Sequence, residues 1–379
     1  MAAGVVNTLE RMGGAKPPGG AAAGLRHDGL TRLRFALIGW VVLYHLDLAL
    51  QVTGVLPWLR PVLGVGYLGV DGFFLLSGFA LWLGYGARPP ADAAGIRRFL
   101  LRRFAKIWPL HVLALLTLLA IVAAARVGGA AIRDPERFGA VEFVLQLFLV
   151  NAWETTDRHA WNYPSWALSV EWAGYLVFPA VLVLLLRART AFLFPLAAAS
   201  VAGLFWLGAG ESGLNRTLHL GLVRFGLEFV LGLALGRLAT EGLLPQPAVL
   251  SCVVAVPLGL GLRWDALTVV GLAAAIVALW QRPRVPAERR PDLLLRLGEA
   301  SFGVYLCWVF IEIALVGMLR VYDPGPVGRV LLMVGGFAAN LAAGWLAWRW
   351  VEVPAHRWIL DRAEPRRARV DPSGRPVPR

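Results

Sequence analysis

Continuous apolar runs of about 20 residues, separated by short polar segments, recur along most of the chain, and each is long enough to cross a hydrocarbon core of about 30 Å as a helix. The runs are unbroken rather than alternating residue by residue. That excludes a transmembrane barrel and leaves helices, which satisfy their own backbone hydrogen bonds in lipid. The pattern predicts an all-α fold, a polytopic integral membrane bundle of about ten transmembrane helices. Its spans fall near 34–51, 66–85, 107–126, 166–186, 191–209, 220–237, 246–262, 265–281, 299–319 and 329–350. The apolar stretch 141–151 is too short for a crossing and is predicted to lie on the outer face as an interfacial or re-entrant helix.

Composition supports this reading. Of 379 residues, 58% are hydrophobic and 16% charged, against roughly 25% charged in a soluble domain. The net charge of +13 would suit a nucleic-acid partner if the basic residues formed one patch, but they do not. With both termini inside, 27 of the 37 Lys and Arg fall on the inner face, the asymmetry expected of a multi-pass protein of the inner (plasma) membrane with both ends cytoplasmic. No nucleic-acid partner is predicted. Residues 1–29, rich in Gly, Ala and Pro and without an apolar core, are expected to be a disordered cytoplasmic tail rather than a signal peptide. Residues 30–358 are the expected membrane domain, and 359–379 a basic cytoplasmic tail suited to anionic lipid. Cys252 and Cys307 lie in apolar runs with neither disulfide nor metal-ligand spacing, so no metal is expected.

With short loops, any chemistry must sit in the bundle or at its faces, where an ionisable residue is expensive and therefore informative. His45 lies eleven residues beyond Arg34 in the first span. Eleven steps of 100° return to within about 20° of the start, so both side chains share a helix face, roughly 16 Å apart. Asp71 in the second span and Glu171 in the fourth fall at about the membrane level of His45. A His beside a carboxylate is held in one tautomer and suits removal of a hydroxyl proton. The same three residues would also share a level if they merely satisfied one another in helix packing. At the inner end, Arg97, Arg98, Arg102, Arg103 and Lys106 precede the third span. They read either as a positive-inside anchor or, with guanidinium forks that grip phosphate, as a site for a phosphorylated donor such as acyl-CoA.

These residues sit in segments that resemble the acyltransferase 3 family of membrane acyltransferases, of the glycan- and macrolide-acylating type. LTRLRFALIGWVVLYHL (30–46) resembles its opening, a basic residue, ten others and a His, here Arg34 and His45, and GYLGVDGFFLLSGF (66–79) resembles its second-span motif. RRFAKIWPL (102–110), PSWALSVEW (164–172), LGEASFGVYL and VEVPAHRW follow in the family's order. The resemblance implies a ten-span fold that moves an acyl group, often acetyl, from cytoplasmic acyl-CoA to a hydroxyl of a glycan or similar acceptor. It also implies that Arg34 and His45 are essential. Two positions depart from the pattern: Trp172 stands where a second acidic residue is usual, and Trp308 where a His often follows.

The expected mechanism places the donor phosphates on Arg34 and the basic block. His45, oriented by Asp71 or Glu171, acts as base, and Ser77 or a Trp166 N–H supports the oxyanion; an acyl-His intermediate fits the residues equally well. Expected partners are membrane lipids and a hydroxyl acceptor that is a glycan, a lipid-linked sugar or a small molecule. A rival reading is a transporter or flippase with the same residues as a proton relay, but the matched halves with broken helices that would mark it are absent from the sequence. A second rival, a catalytically dead scaffold, is disfavoured by the presence of both Arg34 and His45.

Overall fold

The computed structural model describes residues 25–129, 132, 134–210, 213–286 and 291–363. Most of both expected tails, 1–24 and 364–379, lies outside the described residues. A helix occupies each of the ten predicted intervals. In chain order the helices are α1 (Asp28–Leu50), α2 (Leu68–Tyr85), α3 (Ala93–Val127), α4 (Ala140–Leu147), α5 (Ser165–Arg187), α6 (Leu193–Gly208) and α7 (Gly221–Thr240). They continue with α8 (Gln246–Leu262), α9 (Asp265–Trp280), α10 (Leu293–Glu299), α11 (Ser301–Leu319), α12 (Gly325–Ala347) and α13 (Val353–Ala363).

Among the described residues, seven helical stretches are long and apolar enough to cross a membrane; α8 and α9 are apolar but shorter, and α7 carries Arg224, Glu228 and Arg237. The chain is thus an all-α polytopic membrane bundle. Its β structure among the described residues is a two-residue antiparallel pairing of Leu25–Arg26 with Val285–Pro286. Helix α4, at eight residues, is too short to span.

Three features position the site. First, α1 is central, packed against α2, α9, α10, α11 and α12. Leu37, Ile38, Val41, Val42 and Leu46 are all buried, and Arg34 with them. Second, α2 and α7 approach backbone to backbone. A Cβ on Gly78 would stand 2.1 Å from the Phe229 carbonyl oxygen, and one on Gly232 would stand 2.2 Å from that of Leu75, so only glycine permits this crossing.

Third, α3 begins well before the predicted span, because its basic block is itself helical. Asp92 caps it, accepting from the Gly95 N–H at 2.7 Å, and Ala, Leu, Arg and Lys are strong helix formers. Arg97 to Lys106 therefore sit on a rigid rod rather than a loop. A π-helical turn, Trp348–Glu352, joins α12 to α13 and aims Glu352 at Lys106 of α3, with which it pairs.

Candidate active site

His45 sits near the C-terminal end of α1, partly exposed, and its surroundings come from α5's leading loop and from α11. The Trp308 indole stacks on its imidazole with centroids 3.8 Å apart and planes 15° off parallel. The Tyr163 hydroxyl lies 3.4 Å from Nδ1 and also donates to Glu312 Oε2 at 3.3 Å. Since the Tyr163 proton points to Glu312, its oxygen is left to accept from His45, which puts the imidazole proton on Nδ1 and leaves the Nε2 lone pair free. Burial, with the Glu312 carboxylate beside it, pushes the Tyr163 phenol well above its usual range, so it remains a donor. Both distances are at the long end of hydrogen bonding.

The two carboxylates read from the sequence are engaged elsewhere. Asp71 is gripped from both oxygens by Arg224 of α7, with Nε at 2.9 Å from Oδ1 and Nη2 on Oδ2; all three groups of the cluster, Asp71, Arg224 and Glu228, are fully buried. Glu171 accepts from the Ser77 hydroxyl at 2.9 Å and from the Tyr175 phenol at 2.6 Å, both on Oε1, while Oε2 has no hydrogen-bond partner. Ser77 therefore spends its proton on Glu171. Neither Asp71 nor Glu171 is among the described hydrogen-bond or ring contacts of His45.

Arg34 is 0% exposed, yet Nε, Nη1 and Nη2 all lack a hydrogen-bond partner. Glu352, Glu299 and Glu171 lie within electrostatic reach of it. A buried guanidinium with five idle N–H groups is a strong anion receptor. The basic block divides. Arg97 and Arg98 are exposed at its start and Arg102 is partly buried. Arg103 is buried over the rings of Tyr85, Phe99 and Tyr175, and Lys106 is tied to Glu352.

An apolar cleft lies between α2, α5 and α11, walled by Val70, Phe73, Phe74 and Phe302, with Glu171 and Ser301 on its wall. The unpartnered Oε2 of Glu171 and Oγ of Ser301 are its polar features. Among the described residues, no three His, Cys, Asp or Glu side chains converge as metal ligands.

Tyr163, Glu312, Arg224 and Glu228 were not singled out by the sequence reading. Glu312, Arg224 and Glu228 carry the same signal that exposed His45, a charge inside an apolar run. Tyr163 lies in a loop and carries no such signal.

These features define a multi-pass membrane protein with a polar site inside its helices. The acyltransferase 3 domain model matches residues 27–349, and the chain belongs to that family. It is 30% identical to the acyltransferase MdmB of Streptomyces mycarofaciens over 83% of this chain and 87% of that one. It is 28% identical to the exopolysaccharide production protein ExoZ of Rhizobium meliloti over 74% of this chain and 87% of that one. No solved structure matches the chain. The protein is an O-acyltransferase.

Proposed function

We propose that this enzyme moves an acyl group, acetyl in the first instance, from cytoplasmic acyl-CoA to an acceptor hydroxyl presented at the opposite face of the inner membrane, with His45 as general base. The basic ends of α1 and α3 face the cytoplasm, both termini lie there, and 30–358 forms the working domain. The observation that carries the reading is Arg34, buried, with all three guanidinium nitrogens unpartnered, one helix face below His45. An ion left so exposed to desolvation is accounted for by an anion that arrives with substrate.

In this mechanism Arg34, with Arg97, Arg98 and Arg102 at the mouth, holds the donor phosphates. The pantetheine arm extends along the cleft walled by Phe73, Phe74 and Phe302, where Glu171 Oε2 and Ser301 Oγ meet its amides. His45 Nε2 takes the acceptor proton as the hydroxyl oxygen attacks the thioester carbonyl. Collapse breaks the C–S bond, and the thiolate leaves with the proton from His45. Tyr163 and Glu312 replace Asp71 and Glu171 as the groups that orient His45. The Trp308 ring supports the imidazolium, and its buried, unpartnered N–H is a donor for the oxyanion in place of Ser77. Asp71 serves the α2–α7 contact. Similarity to an exopolysaccharide production protein supports a glycan acceptor.

The test compares acylated glycans and small metabolites from cells lacking the gene, cells with it restored, and cells given His45→Ala at equal expression. Restoration by wild type and its loss in His45→Ala is expected; full restoration by His45→Ala would refute the base assignment.

A further inference from the structure

The Asp71–Arg224–Glu228 cluster between α2 and α7 takes no part in the transfer chemistry, and its charges do not balance. Each of the three residues is 0% exposed. The Arg224 guanidinium grips Asp71 with Nε at 2.9 Å and with Nη2, and it spends Nη1 on the Arg216 carbonyl at 3.0 Å. Glu228 is left 3.9 Å from Nε, too far for a hydrogen bond, and no N–H or O–H group of the described residues reaches either of its oxygens. The group within hydrogen-bond reach of its carboxyl is the Asp71 carboxyl, another acid.

The helices packed on α7 supply no second cation. They are α2, α5, α6 and α9. Helix α2 brings Asp71 itself, and α6 carries no titratable residue. Helix α5 turns the Trp166 ring to the guanidinium at 5.4 Å, and its Glu171 is bonded to Ser77 and Tyr175. Helix α9 brings Asp265, which accepts from the Tyr67 phenol at 2.7 Å, so that phenol's proton is spent as well. Two ionised carboxylates against one guanidinium would leave one negative charge in excess, wholly desolvated, in an apolar interior. Two carboxyl groups this close do not both ionise, because each raises the cost of charging the other.

We propose that Asp71 and Glu228 form a proton-binding site, in which the pair holds one proton and the cluster with Arg224 is neutral. The proton belongs to the pair rather than to one residue. In the arrangement seen, Asp71 meets the guanidinium as a carboxylate and Glu228 donates its carboxyl O–H to Asp71. One proton thus replaces a repulsion by a charge-assisted hydrogen bond and gives the unpartnered carboxyl of Glu228 its partner. Its position matters because α2 also carries Phe73 and Phe74 to the apolar cleft and Ser77 to Glu171. Loss of the proton would set α7 against α2 across the closest helix contact in the bundle's core, where Gly78 and Gly232 leave no slack.

The experiment is infrared spectroscopy of the full chain in phospholipid nanodiscs at neutral pH, with a parallel sample whose glutamate side-chain carboxyls are 13C-labelled. A protonated carboxyl has a C=O stretch well above the carboxylate bands. Wild type is expected to show such a band, shifted by the label, and to lose it in Glu228→Gln and also in Asp71→Asn, where Arg224 is free to pair with Glu228 as a carboxylate. Equilibrium unfolding in mixed detergent micelles is the second readout. The folded pair keeps a proton that an unfolded glutamate releases above about pH 4.3. Wild type should therefore lose stability against Glu228→Gln as pH rises, the ratio of their unfolding constants changing about tenfold per pH unit through neutrality. A band that neither substitution removes, or parallel pH dependences of wild type and Glu228→Gln, overturns the proposal. So does a cation in the proton's place, seen as no band and a melt raised by NaCl but not by choline chloride. Should Glu228→Gln fail to fold, the labelled wild type and Asp71→Asn decide the question.

Discussion

Replacing Arg34 by Met should weaken the enzyme and strengthen the empty protein at once. The side chain is wholly buried and none of its guanidinium nitrogens is hydrogen-bonded, so the donor-free fold carries an ion whose desolvation nothing nearby repays through a hydrogen bond. An unbranched apolar side chain of similar length removes that cost. The expected change is a gain of about 1–4 kcal/mol in the donor-free state, seen as a rise of a few degrees in Tm. With donor the sign reverses. Two charge-assisted hydrogen bonds from a bidentate guanidinium are worth about 1.5 kcal/mol each at the low end, and about 3 kcal/mol is roughly a hundredfold in kcat/KM at 1.36 kcal/mol per decade.

The assay is donor kinetics in nanodiscs with acetyl-CoA and, in parallel, with S-acetylpantetheine, which lacks the phosphates. Acetyl-CoA should lose about a hundredfold, whereas S-acetylpantetheine should be used by wild type and variant to within a few-fold. A variant that melts lower without donor and treats both thioesters as wild type does would show Arg34 to be a packing residue, and the donor site would have to be sought elsewhere.

Removal of the Tyr163 hydroxyl in Tyr163→Phe, or of the Glu312 charge in Glu312→Gln, should lower kcat by about ten- to a hundredfold with the donor KM unchanged; a loss confined to expression would mean that both residues serve only the fold. Arg224→Ala leaves Asp71 buried without its partner and should destabilise by about 3–5 kcal/mol, whereas Asp71→Leu combined with Arg224→Met should melt above either single variant; additive losses in detergent melts would contradict the pairing. In the loop that leads to α5, the hydrogen bond from His219 and that from the Leu220 N–H hold the exposed Glu154 carboxyl below its usual range. Because the folded-state pKa is the lower one, this anchoring is complete above the ordinary carboxylate range and is lost as pH falls through it. The protection factor of the Leu220 amide, its exchange rate referred to the intrinsic rate at each pH, should fall on acidification in wild type and be low already at neutral pH in Glu154→Ala.

Run length was enough to place the helices, because hydrocarbon thickness constrains length directly: each of the ten intervals holds a helix, and among the described residues seven of these are long and apolar enough to cross. The shared face of Arg34 and His45 was legible for a similar reason: both lie on one continuous helix, where spacing alone fixes direction. Reading Asp71 and Glu171 as neighbours of His45 used depth, which gives one coordinate of three. Asp71 turns to Arg224 because Gly78 and Gly232 let α2 and α7 close on one another, a contact between residues far apart in sequence. Glu171 turns to Ser77 and Tyr175 on the same principle. Lys106 looked like one more cation for phosphate until the π-helical turn after α12 set Glu352 against it. Tyr163 had no local signature at all; its importance comes from a loop whose path only the folded chain reveals.

Arg34 and His45 being carried by one unbroken helix makes α1 a ruler with two marks. Rocking of neighbouring helices can widen or narrow the passage between them but cannot change the distance between two residues that ride the same rod. Under the mechanism proposed above, the span that a donor must match from phosphate to carbonyl is therefore set by counting residues. Single substitutions between the marks leave the count intact. One inserted residue turns His45 through about 100° and lifts it about 1.5 Å, so the spacing of this helix is less tolerant of change than the chemistry of most side chains along it.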